Sequence, residues 1–209
     1  MFSLTQRFQV VSNQAITFSL VIIAFVVASS WIQLLYPSNV FQNTTSAIAN
    51  VTPSMTLRTS RYYGSQNGKP KENVRVSFDL ESDFSPLFNW NTKQIFVYLT
   101  ANYNSSGSIN EVTFWDDIIT SKDKALVQLK NAKSKYTVWD LESGLSGKEL
   151  DFKLHWNIQP WVGPLVYGET DISGDHKLTV EARKKNTESG DAEKVSKRKK
   201  KRTKKQKVN

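Results

Sequence analysis

The sequence predicts a mainly β protein: an antiparallel β-sandwich carried on a single N-terminal transmembrane helix and followed by a disordered basic tail. Three observations predict it. No charged side chain occurs between Arg7 and Arg58, and within that stretch residues 16–35 (ITFSLVIIAFVVASSWIQLL) are mostly branched aliphatic or aromatic. Beyond residue 54, apolar and polar residues alternate with a period of two in several separate runs. Residues 182–209 hold 13 Lys and Arg against 3 Asp and Glu, whereas residues 1–181 hold 15 against 16. The net charge of +9 therefore belongs to the tail. The folded part lacks the basic excess of a nucleic-acid-binding domain.

Taken in chain order, residues 1–14 are expected as a cytosolic N-terminus and 15–36 as a signal anchor. Twenty helical residues reach about 30 Å, the thickness of a bilayer's hydrocarbon core. The polar groups in the run (Thr17, Ser19, Ser29, Ser30 and Gln33) are uncharged, and hydroxyls bond back to helix carbonyls. Trp31 and Tyr36 lie toward one end, where aromatic rings favour the headgroup level, and Pro37 stops the helix. A buried soluble helix rarely goes this long without a charge. A cleaved signal peptide would use the small residues Ala28, Ser29 and Ser30, yet the apolar run resumes at Trp31 and continues to Tyr36. A retained anchor is the better reading. Near the span the cations, Arg7 and the terminal amine, lie on its N-terminal side, which favours a translocated C-terminal domain.

Residues 37–53, rich in Asn, Thr and Ser, read as a stem, and 54–181 as a lumenal β-sandwich. Val74, Val76, Phe78 and Leu80 alternate with polar neighbours, as do Leu150, Phe152, Leu154, Trp156 and Ile158. Residues 95–103 (IFVYLTANY) are apolar on both faces and read as a central strand. Shorter strands are expected at 56–62, 112–115, 136–141, 165–170 and 177–180, separated by turn signals such as Ser106-Gly107 and Gly163-Pro164. Helix is expected, if anywhere, over 121–135. Residues 182–209 have almost no apolar side chain and repel one another, so they are expected to be disordered.

Catalytic chemistry is hard to find. The 209 residues include no cysteine, which removes disulfides and thiolate chemistry. His155 falls on the polar phase of its strand and His176 in a turn, with no nucleophile elbow, His-Glu-x-x-His motif or phosphate-binding glycine loop. Asp116 and Asp117 are adjacent, so on a strand they face opposite ways. A glycosyltransferase would need a larger domain and an Asp-x-Asp motif. No catalytic, cofactor-binding or metal-binding residue is assigned. Three sequons mark candidate glycosylation at Asn43, Asn50 and Asn104, the last in a turn-rich loop tip. Trp115 and Trp156 sit in apolar strand patterns and read as core. Trp90 and Trp161 lie in loop-like sequence, where they either pin the loops or mark a protein interface.

Four separated blocks resemble a known family: LFNWNTKQIFVYLTA from Leu87, VTFWD from Val112, SKY from Ser134 and LHWNIQP from Leu154. Standing in this order behind one N-terminal anchor, they resemble the third, glycosylated subunit of the eukaryotic signal peptidase complex, in its fungal form. The resemblance runs from Met1 to about Val180, and the Lys/Arg-rich tail departs from it. It implies a single-pass type II protein of the endoplasmic reticulum membrane with its domain in the lumen. It also implies a non-catalytic subunit, the serine nucleophile belonging to another chain. The partners implied are that catalytic subunit, other small membrane subunits, membrane lipid and, indirectly, nascent signal peptides. No nucleic acid is implied. The competing reading is a tether whose tail is cytosolic and binds anionic lipid or RNA.

Overall fold

Helix α1 (Leu4–Leu35) opens on a capping box, in which Ser3 Oγ accepts from the Gln6 N–H and Gln6 Oε1 from the Ser3 N–H. In this computed structural model, residues 3–36, 44–58, 65–66, 69–105, 107–140, 144–170 and 172–181 are described. The tail expected to be disordered, and Asn43, lie outside them. At 32 residues the helix is about 48 Å long, beginning about three turns before the apolar run. Residues 4–14 thus continue the helix rather than preceding it. Hydroxyls inside the run bond back as expected: Thr17 donates to the Asn13 carbonyl at 2.9 Å and Ser19 to that of Ala15 at 2.8 Å. The rest of the chain leaves Phe18 and Phe25 exposed, so the helix is long and apolar enough to cross a bilayer and is not a core helix.

Among the described residues ten strands follow: β1 (Thr45–Arg58), β2 (Ser65–Gln66), β3 (Lys69–Asp83), β4 (Thr92–Ser105), β5 (Ser108–Ile119), β6 (Leu126–Lys133), β7 (Glu149–Pro160), β8 (Val166–Thr170), β9 (Ile172–Gly174) and β10 (Lys177–Thr179). In the first sheet β3 lies between β1 and β6, short β2 pairs the start of β3, and β9 flanks β1. In the second, β4 lies between β5 and β7, with β8 and β10 on the other edge of β7. Pairing is antiparallel throughout except between β1 and β9, which run parallel. The inner faces bury the alternating sets expected from sequence, including Val76, Phe78, Leu80, Val97, Leu99, Leu154 and Trp156. A bulge opposite Leu99 and Thr100 lets consecutive Phe114 and Trp115 both face inward. Phe114 packs on Phe152, and Trp115 meets Phe78 edge-on. Gly168 clears room for Trp156, since a Cβ there would lie 2.2 Å from its ring.

Three expectations are corrected. Residues 45–53, read as stem, form the first half of β1: Thr44, Ser46 and Ile48 are buried, with hydroxyls occupying the inward phase. Ser46 meets the hydroxyl of Ser82 and Thr44 that of Thr170. Residues 121–135 are not helical. A short 3-10 turn (Lys122–Lys124) leads into β6, because pairing with β3 satisfies the backbone that weak helical periodicity could not. Of the strand expected at 136–141, the described residues 136–140 form one bridge, Val138 to Val74, and residue 141 lies outside the described residues.

Candidate functional site

Two features stand out from the folded domain: a seam where α1 docks on the sandwich, and exposed aromatic groups. The seam is made by the last turns of α1 and the loops that enter β4 and leave β7. Leu34 and Ser30 are buried there, and Asn89 Nδ2 donates to Ser30 Oγ at 3.0 Å. Gly163 lies against Val27, where a Cβ would approach Val27 Cγ2 to 3.1 Å, and its φ of 121° is one that L side chains rarely adopt. Asn91 ties the two loops together. Its Nδ2 donates to the Val162 carbonyl at 2.7 Å, its Oδ1 accepts from the Val162 N–H at 3.1 Å, and its carbonyl accepts from the Trp161 N–H at 2.8 Å. The flanking rings of Trp90 and Trp161 remain exposed, at 56% and 67%. The loops are therefore pinned by asparagine, not by tryptophan. The sequence showed Asn89 and Asn91 beside Trp90, but nothing local distinguished them from turn residues.

The outer face of the second sheet carries the other aromatic group. Register aligns Ile118, Phe96, Asn157 and Tyr167 across four strands, with Asp116, Tyr98, His155 and Glu169 in the next row. Phe96 stacks on Tyr98, which stacks on His155. Ile118 and Tyr167 are exposed, and the buried Asn157 Oδ1 has no hydrogen-bond partner. Burial is the first cause that raises the Tyr98 hydroxyl above its ordinary pKa, with the Glu111 carboxylate adding to it.

The titratable residues singled out from the sequence are dispersed. His155 Nε2 lies 3.1 Å from Glu111 Oε1, and His176 Nδ1 lies 3.0 Å from the Gly174 carbonyl. Asp116 faces Lys135 at 3.6 Å, while Asp117 is exposed at the sheet edge. Among the described residues no three His, Asp or Glu side chains are grouped to hold a metal ion. One cluster was missed: Lys148 Nζ lies 2.9 Å from Ser105 Oγ and forms an ion pair with Asp140, which also accepts from Ser105 at 2.8 Å. A serine–lysine nucleophile needs a lysine that can take a proton in an apolar pocket. Here a carboxylate claims both groups, and the cluster acts as a clasp at the far end of the sandwich.

Of the sequons, Asn104 is exposed one residue before the end of β4, close to the turn at Gly107. Asn50 lies in a bulge of β1 with φ 52°, its Nδ2 donating to Asp79 Oδ2 at 2.7 Å. Asp79 Oδ1 also accepts the N–H of Asn131, which has φ 50° in a bulge of β6. These two bonds, the Asn131 backbone first, hold the Asp79 carboxyl below its ordinary pKa.

Similarity to known proteins follows the same outline. Residues 1–183 match a family model described as signal peptidase subunit. The chain is 56% identical over 187 residues to signal peptidase complex subunit 3 of Saccharomyces cerevisiae, covering 88% of this chain and 100% of that one. It is 52% identical to the Debaryomyces hansenii protein of the same name, with 88% and 98% covered. The human protein of that name is 36% identical over 113 residues, which cover 52% of this chain and 63% of its own.

Proposed function

Because this chain belongs to the signal peptidase complex subunit 3 family, we propose that it is a non-catalytic scaffold that sets the height of the catalytic subunit above the membrane. Membership makes it a subunit of the signal peptidase complex, and the apolar α1 fits the endoplasmic reticulum membrane. The observation that carries the scaffold reading is the seam. An anchor joined only by a flexible linker would leave its domain free to tilt. Here Leu34, the Ser30–Asn89 bond and the Val27–Gly163 contact fix the sandwich against the helix. A cleavage site lying just beyond a signal sequence's apolar stretch demands such positioning, since about 1 Å of misplacement costs up to a hundredfold in rate.

The domain is lumenal in this reading, with α1 a type II anchor, and the catalytic serine belongs to the partner. The partner-facing surface is the outer aromatic face of the second sheet. Its stacked aromatic rings and the exposed Ile118 and Tyr167 suit a protein interface. Depletion of the chain should leave uncleaved precursors of secreted proteins, and the purified full-length chain should cleave none by itself. Normal processing after depletion, or activity of the chain alone, would overturn the proposal. Alanine at both Phe96 and Tyr167 should release the catalytic subunit on co-purification, while the variant chain keeps its circular dichroism spectrum. Retained association would remove that face from the account.

A further inference from the structure

The loops at the seam do not stop at the end of the membrane helix; they lie alongside it. Gly163 packs on Val27, eight residues before Leu35, which is about 12 Å back along the helix axis. Asn89 is bonded to Ser30, one turn from the same end. The apolar run needs about 20 residues to cross the hydrocarbon core, and the headgroup layer beyond it is only about 5–8 Å thick. With residues 16–35 spanning the hydrocarbon core, residues 88–92 and 160–165 lie at the level of the headgroups and the outer acyl carbons.

Their chemistry suits that level. No Asp or Glu occurs in FNWNT or PWVGPL, and the nearest cation, Lys93, places Nζ 5.3 Å from the Trp161 ring centroid. Lipid-facing irregular backbone must satisfy its polar groups internally. Here the Asn91 amide takes both polar groups of Val162, the Asn91 carbonyl takes the Trp161 N–H, and the Asn89 carbonyl takes the Thr92 N–H. What remains outward is apolar and aromatic: Trp90, Trp161 and Leu165. We propose that these two loops form a lipid-facing tip, with Trp90, Trp161 and Leu165 seated in the interfacial layer of the leaflet that the C-terminal end of α1 reaches. Lys93 lies at phosphate level. The sandwich then meets the bilayer at two places, the helix and the tip, which prevents rotation about the helix axis. The occupant is lipid rather than a protein partner because the tip continues the lipid-exposed helix surface and carries Trp and Lys, the side chains of membrane interfaces.

The test uses the full chain, reconstituted without any other subunit into phosphatidylcholine vesicles, so it is independent of the subunit role. Tryptophan fluorescence is compared in plain lipid, in lipid brominated near the headgroup and in lipid brominated near the chain ends. Subtracting the signal of a Trp90→Phe, Trp161→Phe double variant isolates the two rings from Trp31 and the core tryptophans. Circular dichroism verifies that the variant is folded. The proposal expects the isolated signal to be quenched about twofold or more by the shallow bromines, and less by the deep ones. Equal fluorescence in plain and brominated vesicles would place the rings in water and overturn it. Protection of the rings only after the other subunits are added would assign them to a protein interface and overturn it equally.

Discussion

The two ends of the sandwich are closed by different chemistry. Against the helix, the clasps are neutral: Asn89 to Ser30, and Asn91 to the backbone of the neighbouring loop. At the far end they are ionic. Lys148 pairs with Asp140, and the Glu72 carboxylate accepts the N–H groups of Leu145 and Ser146 at 3.1 Å each. The neutral set ties a loop to the helix and two loops to each other, and the ionic set ties loops to strands β3 and β4. The difference lies in the surroundings: an ion beside lipid loses hydration that nothing restores, whereas one facing water is partly solvated. The loop that enters β4 also carries a charged contact, Asp83 Oδ1 accepting the Ser85 N–H at 2.9 Å, so neutrality is confined to the contacts made by Asn89 and Asn91.

The sharpest way to break the comparison is at the ionic end. Lys148→Ala removes the ion pair made to the Asp140 side chain, which is 8% exposed, and should cost about 3–5 kcal/mol. Urea unfolding of the detergent-solubilised chain measures it. Replacing Lys148 and Asp140 together with Met and Leu should restore most of the loss. Next comes the neutral end. Asn91→Ala strands the polar groups of Val162 and should cost about 1–3 kcal/mol. Asn91→Asp should cost more at pH 7, because its carboxylate faces the Val162 carbonyl. A tolerated charge there would erase the distinction between the ends.

Smaller effects sharpen it. Asp79 has its pKa lowered in the folded state, so its contribution is fully present above the unfolded value, about 3.9, and is lost as pH falls through the lower folded value. Thermal melts at descending pH should show this acid-dependent loss in the wild type and a reduced one in Asp79→Asn. The smallest effect on stability is expected at Asn104. Asn104→Gln should change unfolding by no more than about 0.5 kcal/mol while removing one glycosidase-sensitive step on gels. Absence of any such step in the wild type would count against glycosylation at that exposed sequon.

The parts of the fold visible in the sequence were those in which one physical signal dominated. The charge-free run became α1, the alternating apolar sets became β3 and β7, and the run apolar on both faces became β4. The first half of β1 was hidden because its inward phase opens on Ser46 and is preceded by Thr44, whose hydroxyls meet Ser82 and Thr170 some thirty and more than a hundred residues away. Edge strand β6 was hidden by its lysines, Lys130 and Lys133, which protect a sheet edge but look like a helix surface. At the site, the sequence singles out Trp90 and Trp161 without deciding between buried pins and an exposed surface, and it does not single out the asparagines that hold their loops. A hydrogen bond between residues 71 positions apart leaves no local trace.

The direct test of the positioning account is the rate of precursor cleavage in membranes whose chain has its seam locked. The protein has no cysteine, so Ser30→Cys and Asn89→Cys introduce its only thiols, at positions now joined by a side-chain hydrogen bond. A short, reducible bis-methanethiosulfonate cross-linker, which spans the gap left by the shorter side chains, should join them and leave signal-sequence cleavage at the wild-type rate, because the locked arrangement is the working one. Cleavage that stalls on locking and resumes on reduction would contradict the account.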